Sequence, residues 1–329
     1  MSNDILIAAK GYTLYSSSNN GSNWKRHGKI KDGINSLFAI TRFTSRLTRA
    51  EISKLYYLTD GTELCIARKG IFRREKGEKR FSKCYDVIRG SRPICLLEDE
   101  STGNVYFGEY FRNYEKVPVH IFCSEDRGKS WQVAYTFPEG WINHIHGIFK
   151  DPYTGALWVA TGDRENECVI GYTTDGFKTF NIIHRGAQDY RTCVLFFYPD
   201  YVLYATDSQY QQCYVKSIDR ATNEVKEIHP VQGPVIRGCE FGGIVFIATD
   251  IEPSKFNKET HAYVWMSQDG HNWKQLFKGE KDILSATYFQ FGTFDLPVYS
   301  PDYKGRTLYI SGKALKKYDG NTIEIDIIN

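Results

Sequence analysis

"SEDRGKSW", residues 124–131, sets Ser124, Asp126, Gly128 and Trp131 two, two and three residues apart. An Asp or Asn oxygen just after a hydroxyl can accept the backbone N–H groups of a tight turn. Gly supplies the positive φ that such a turn needs. The aromatic then opens the next strand and is expected to pack into the core. The stretch reads as a link between two antiparallel strands, and it recurs. "SSNNGSNW" (17–24) carries Asn19, Gly21 and Trp24. "TTDGFKTF" (173–180) carries Asp175 and Phe180, with Gly176 one place early. "SQDGHNW" (267–273) carries Asp269 and Trp273 and is one residue shorter. Weaker echoes are "RREKGEKRF", ending at Phe81, and "KKYDGNTIEI" near the C-terminus.

The spacing decides the architecture. Trp24 to Phe81 is 57 residues, Phe81 to Trp131 is 50, and Trp131 to Phe180 is 49. Phe180 to Trp273 is 93, two steps of about 47, and 329 residues divided by seven is also about 47. A period of roughly 40–50 residues with strand-like content is the signature of a β-propeller. A second repeat runs in phase: "LYYLTD" (55–60), "VYFGE" (105–109), "LWVATGD" (157–163), "LYATD" (203–207), "VFIATD" (245–250) and "LYISGK" (308–313). Each follows a turn such as "DPYTG" or "PDYKG" and reads as a blade's second strand. The fold expected is all-β, a seven-bladed propeller forming one domain over residues 1–329, with six blades as the alternative. "DILIAA" at the N-terminus is expected to complete a blade with the last strands, which would remove an open sheet edge.

Composition agrees. Aromatics are 15% of the chain, with 23 Tyr and 20 Phe, and such side chains favour pleated surfaces. Net charge is +3 and the charges are interspersed, unlike the basic stripe of a nucleic-acid binder, so no nucleic-acid partner is expected. The densest basic run, "RKGIFRREKGEKR" (68–80), reads as a solvated hairpin. No window approaches 18 apolar residues, so no membrane span is expected. The N-terminus has no signal-peptide pattern. The eight Cys contain no C-x-x-C pair and sit in apolar runs, as reduced core thiols would. These features point to a cytoplasmic location.

The Ser-x-Asp-x-Gly-x-x-Trp units resemble the Asp-box (BNR) repeats of the sialidase superfamily, over most of the chain at blade spacing. "HIHGIFKDPYTGALWVATGD" followed by "YTTDGFKTF" also looks like BNR-repeat, glycosyl-hydrolase-like proteins of microbial polysaccharide gene clusters. The resemblance implies that Asp126, Asp175 and Asp269 are structural, on the face opposite a central funnel. It also implies carbohydrate chemistry: an arginine triad for a carboxylate, with Arg92, Arg191 and Arg237 as counterparts, and a Tyr nucleophile at Tyr110 or Tyr190. Asp163 or Glu252 would be the acid. "SRPI" around Arg92 departs from the Arg-Ile-Pro of sialidases, and seven blades depart from six.

The residues themselves suggest the same face. Segments leading into inner strands carry Arg92, His144, His146, Tyr190, Arg191 and Arg237. Segments after second strands carry Glu109, Tyr110, Asp163, Arg164, Glu165, Asp207, Asp250 and Glu252. Convergent polar groups in a concavity are the default ligand site. The catalytic candidates are His144, His146, Asp163, Glu165, Tyr190 and Glu252. The substrate-binding candidates are Arg92, Glu109, Tyr110, Arg164, Arg191, Asp207 and Arg237. His144 and His146, two apart on a strand, face one side and suit either a general base or a divalent metal. Asp60, Asp207 and Asp250 also read as turn caps, because "TD" recurs at strand ends. The expectation is cleavage of an acidic oligo- or polysaccharide by hydrolysis or β-elimination. A non-catalytic propeller that binds a glycan or protein is the alternative.

Overall fold

The computed structural model describes residues 5–300 and 303–327. It is all-β, with seven antiparallel sheets, the strand plan of a seven-bladed β-propeller rather than a six-bladed one. The chain's contacts gather into two compact units, Met1–Glu139 and Gly140–Asn329.

The first unit holds three sheets. One is β1 (Leu6–Lys10), β2 (Thr13–Ser17) and β3 (Lys25–Lys29). Two short helices follow, α1 (Asn35–Phe38) and α2 (Arg42–Thr48), the second capped by the Thr41 side chain, which accepts from Thr44 N. The next sheet is β4 (Lys54–Tyr57), β5 (Glu63–Ala67), β6 (Gly70–Arg74) and β7 (Ser82–Asp86). The third is β8 (Leu97–Asp99), β9 (Asn104–Gly108), β10 (Val119–Ser124) and β11 (Gln132–Phe137).

The second unit holds four sheets. They are β12 (His144–Lys150), β13 (Leu157–Gly162), β14 (Val169–Thr173) and β15 (Asn181–Arg185); then β16 (Thr192–Phe197), β17 (Tyr201–Thr206), β18 (Cys213–Asp219) and β19 (Val225–Val231). The next is β20 (Val235–Phe241), β21 (Ile244–Thr249), β22 (His261–Ser267) and β23 (Lys274–Glu280). The last is β24 (Thr293–Asp295), β25 (Thr307–Lys313) and β26 (Thr322–Asp326).

Within each unit, neighbouring sheets pack face to face, which explains the strand patterns. β13, β17 and β21 are nearly continuous apolar runs because both of their faces are covered. Val194, Phe196, Leu203 and Val215 pack against Val245, Ile247 and Trp265 of the following sheet. Phe246 and Val264 in turn pack against Phe294, Leu308 and Ile310. In the first unit, Leu64, Ile66 and Ile71 meet Val105 and Phe107. The fourth strands show mixed exposure, as one-sided edge strands do.

The repeated turn joins the third strand to the fourth in the sheets of Asp126, Asp175 and Asp269, and joins β2 to β3 at Asn19. Asp126 Oδ1 accepts from Lys129 N (2.9 Å), Ser130 N (2.8 Å) and Ser124 Oγ (2.8 Å), while Ser124 Oγ accepts from Gly128 N at 2.7 Å. Asp269 and Asp175 repeat the pattern. In the Asp175 turn Phe177 takes the Gly128 role, at φ 71°, and donates its N–H to Thr173 Oγ1. Burial works against the Asp126 charge, but its hydrogen-bond donors outweigh that and hold the carboxyl down at about 2. Asp126→Ala is expected to cost about 1–2 kcal/mol, roughly one or two net hydrogen bonds. A urea titration of the variant checks this. The depressed acid supplies stability above its ordinary pKa and loses it as pH falls towards 2, so the gap between wild type and variant should narrow in acid.

Several expectations need correcting. β1 pairs with β2 in its own sheet, and no pairing joins Leu6–Lys10 to the last strands among the described residues. Asp4 of "DILIAA", and Pro301 and Asp302 of "PDYKG", lie outside them. "LYYLTD" supplies a first strand rather than a second, because the connection before it is taken up by α1 and α2. Asp60 there caps the turn, accepting from Thr62 N at 2.8 Å. Of the terminal aromatics, Phe81 is buried in the core and Trp131 and Trp273 pack half-buried against it, whereas Trp24 is 43% exposed. The basic run is a hairpin, but Arg73 and Arg74 are buried in it, and Arg74 is held by Glu63 at 2.6 Å. The eight Cys are free thiols, six of them buried.

Candidate functional site

In every sheet of the second unit, the start of the first strand lies beside the end of the second. The paired residues are His144 with Gly162, Thr192 with Thr206, Val235 with Thr249, and Thr293 with Lys313. Residues just before or after these pairs are therefore brought to one level. That register places His144, His146 and Asp163 on one sheet, Arg191 and Asp207 on the next, Arg237, Asp250 and Glu252 on the third, and Asp295 and Lys313 on the last. In three of the four sheets the first strand shifts register near its start. A bulge of this kind re-aims a side chain. In β12 the shift spans Ile145 and Gly147 and therefore falls at His146.

The two imidazoles meet, with Nε2 to Nε2 at 3.1 Å. Their Nε2 atoms lie 3.3 Å (His144) and 3.4 Å (His146) from Asp163 Oδ1. His146 Nδ1 is 3.0 Å from Thr192 O, which can only accept, so Nδ1 carries a proton and in the neutral ring Nε2 carries the lone pair. Gly162 makes room for this ring, since a Cβ there would stand 2.4 Å from His146 Cε1. Asn143 Nδ2 donates to Asp163 Oδ2 at 2.9 Å and lies 3.2 Å from His144 Nδ1. Both imidazoles are buried, whereas the Asp163 side chain is 33% exposed and is the solvent-facing member. Burial pushes its carboxyl up, but hydrogen bonds and charge from His144 and His146 outweigh that and hold it well below the usual range.

Arg191 bridges two acids. Its Nη2 lies 3.1 Å from Asp163 Oδ1 and its Nε 3.4 Å from Asp207 Oδ2. Burial alone would lower its pKa, yet Asp207 and Asp163 raise it, so it is a permanent cation. Arg237 Nε donates to Asp295 Oδ1 at 2.6 Å, and Lys313 pairs with Asp295 Oδ2 at 2.7 Å. Asp207 Oδ1 and Asp250 Oδ1 are buried without a hydrogen-bond partner among the described residues. Glu252 is buried and accepts from the Gln209 amide. Burial first, then the charges of Asp207 and Asp250, push its carboxyl up to about 8. Burial likewise raises Asp250, to about 6, against the pull of Arg237.

His144, His146, Asp163, Arg191, Asp207, Arg237 and Glu252 thus all belong to the second unit's cluster, through contacts or charge coupling. Six other candidates lie elsewhere. Glu165 and Arg164 are exposed at a 3-10 turn that carries them outward, and Glu167 caps it by accepting from Arg164 N at 3.0 Å. Tyr190 stacks on His184, with ring centroids 4.6 Å apart. Arg92, Glu109 and Tyr110 belong to the first unit. There Glu109 is buried, held by Arg89 Nε at 2.7 Å and by His120 N at 2.8 Å. Arg92 Nη1 reaches Arg49 O at 3.5 Å. Sequence reasoning missed Asn143, Gln209, Asp295 and Lys313, and put Asp250 on this face while also reading it as a turn cap. The strand-end register that found Asp207 also marks Asp250, and Lys313 ends "LYISGK" where Asp ends its counterparts.

No family model matches the chain, and no curated protein matches it. Solved structures do, and they define it as a β-propeller. The chain is similar to one in "YCF48 bound to D1 peptide" (12% identity, 99% of this chain and 89% of that one, TM-score 0.56). It is also similar to one in "Crystal Structure of Mitotic Checkpoint Complex" (11% identity, 100% and 88%, TM-score 0.57). A third is in "Crystal structure of Nidogen/Laminin Complex" (12% identity, 87% and 95%, TM-score 0.53). Among the described residues no helix is long and apolar enough to cross a membrane.

Proposed function

We propose that the cluster in the second unit is an acid–base site that cleaves a poly- or oligosaccharide. The observation that carries this reading is Glu252, a carboxyl kept protonated at neutral pH and so able to give a proton to a leaving oxygen. Asp163, the most exposed carboxylate of the cluster, is the candidate partner that would activate water or take a sugar proton. Asp207 and Asp250 add buried acceptor oxygens without a hydrogen-bond partner among the described residues, which suits a hydroxyl-rich ligand that donates to them. The resemblance of the Asp126-type turns to Asp-boxes points the same way. Recognition of a substrate carboxylate has less support, because Arg191 and Arg237 are each already held by aspartates.

The test is incubation with neutral and uronate-containing oligosaccharides, read by mass spectrometry and by absorbance near 235 nm. Hydrolysis adds one water across the products, whereas β-elimination leaves an unsaturated, absorbing product. Glu252→Gln is expected to lower turnover by about 10²–10⁴-fold, the usual contribution of a general acid. Turnover that the variant leaves unchanged would overturn the assignment of Glu252.

A binding role is the second reading. It is favoured by how deeply most of the cluster is buried, and the three similar structures are of two protein complexes and a propeller with a bound peptide. Saturable binding of an oligosaccharide, unaltered in Glu252→Gln and with no product formed, would select it.

A further inference from the structure

We propose that His144, His146 and Asp163 form a binding site for one divalent transition-metal cation of the zinc, manganese or ferrous class. The inference goes beyond the saccharide reading and does not depend on it. Two nitrogens and one oxygen converge, at 3.1, 3.3 and 3.4 Å from one another. A cation bound at about 2.0–2.2 Å by imidazole and carboxylate in tetrahedral or octahedral geometry holds its ligand atoms roughly 2.9–3.5 Å apart. All three separations fall in that window.

The protons agree at His146. Its Nδ1–H points at Thr192 O, the outer contact that typically orients a metal-bound imidazole, and its Nε2 lone pair faces the common centre. At His144 loading has a cost. Nε2 must give up its proton to Nδ1, and the Asn143 amide must turn to accept from it, loosening its bond to Asp163 Oδ2. Arg191, 3.1 Å from Asp163 Oδ1, also opposes a second cation, although Asp207 shares its charge. Charge across the cluster favours one. Even with Glu252 protonated, the carboxylates Asp163, Asp207, Asp250 and Asp295 outnumber the cations Arg191, Arg237 and Lys313. Both imidazoles are buried and Asp163 faces solvent, so a cation would enter from the Asp163 side and keep open coordination positions there. A second trio, His146, Cys193 and Asp207, is less suited, because it needs the His146 nitrogen already given to Thr192.

The test uses the full chain, stripped with chelator under reducing conditions and titrated with Co²⁺ and, separately, Mn²⁺. One equivalent is expected to bind, with Co²⁺ giving ligand-field bands but no thiolate charge-transfer band. His146→Ala and Asp163→Asn should each weaken binding by at least about 100-fold, and Cys193→Ser should leave it unchanged. If His146→Ala fails to fold, Asp163→Asn, at a partly exposed position, decides alone. Absence of saturable binding by either ion, a thiolate band, or affinity retained in Asp163→Asn would overturn the proposal.

Discussion

Replacing Arg191 by Ala is expected to destabilise the protein by about 3–5 kcal/mol, the cost of leaving buried charge without its partner. Arg191 is almost fully buried and pairs with Asp163 on one side and Asp207 on the other. It also donates to the Asp163 main-chain carbonyl at 3.2 Å. Its loss leaves Asp207, 3% exposed, facing Glu252 and Asp250 with no compensating cation on its own sheet. At roughly 2–4 °C per kcal/mol, the melting temperature should fall by about 10 °C. The double variant Arg191→Ala/Asp207→Asn should recover part of the loss, since it removes one of the stranded charges. A double-mutant cycle by urea or thermal unfolding checks this. A single-variant loss below about 1 kcal/mol, or strict additivity, would show that the pair is not coupled as described.

Glu252→Gln is expected to stabilise the protein in alkali while leaving it little changed in acid. The carboxyl's folded pKa is raised, to about 8 from an ordinary 4.5. Below about 4.5 the group is protonated in both the folded and unfolded chain and costs nothing. As pH rises from 4.5 to 8 the unfolded chain releases the proton while the folded one keeps it, so stability falls through that window and levels off above it. At about 1.4 kcal/mol per unit, the loss amounts to a few kcal/mol. The amide cannot ionise and keeps a carbonyl that can accept from Gln209. Melting curves of wild type and variant should therefore coincide near pH 4 and separate by pH 9, with the variant higher. Parallel curves across the range would mean that Glu252 ionises normally.

The fold was legible because a propeller writes each blade's chemistry at a fixed phase. The turns of Asp126, Asp175 and Asp269 spaced the blades, and the apolar runs ending near Asp163, Asp207 and Asp250 marked second strands covered on both faces. The same register placed seven of the candidate site residues in one cluster without any knowledge of contacts. It failed where local structure breaks the phase. The 3-10 turn after Asp163 swings Arg164 and Glu165 outward. Tyr190 stacks on His184 because Gln188–Tyr190 is itself a 3-10 turn. The α1–α2 insertion displaced "LYYLTD" by one strand. Pairing was the other blind spot. Arg191 and Arg237 read as free cations for a ligand carboxylate, whereas aspartates already hold them: Asp163 and Asp295 from neighbouring sheets, and Asp207 from Arg191's own. Asp295 and Lys313 stayed hidden because the last sheet lacks the repeat's Asp ending.

The most direct test of the central claim is the titration of Glu252 itself. With glutamate labelled at the side-chain carboxyl by ¹³C, the Glu252 resonance can be assigned by its absence in Glu252→Gln and followed from pH 4 to pH 10. A midpoint near 8 is expected, with the group protonated at neutral pH as a proton donor must be. A midpoint near the ordinary 4.5 would contradict the account, because Glu252 would then be one more ionised carboxylate in a charged cluster and not an acid poised to act.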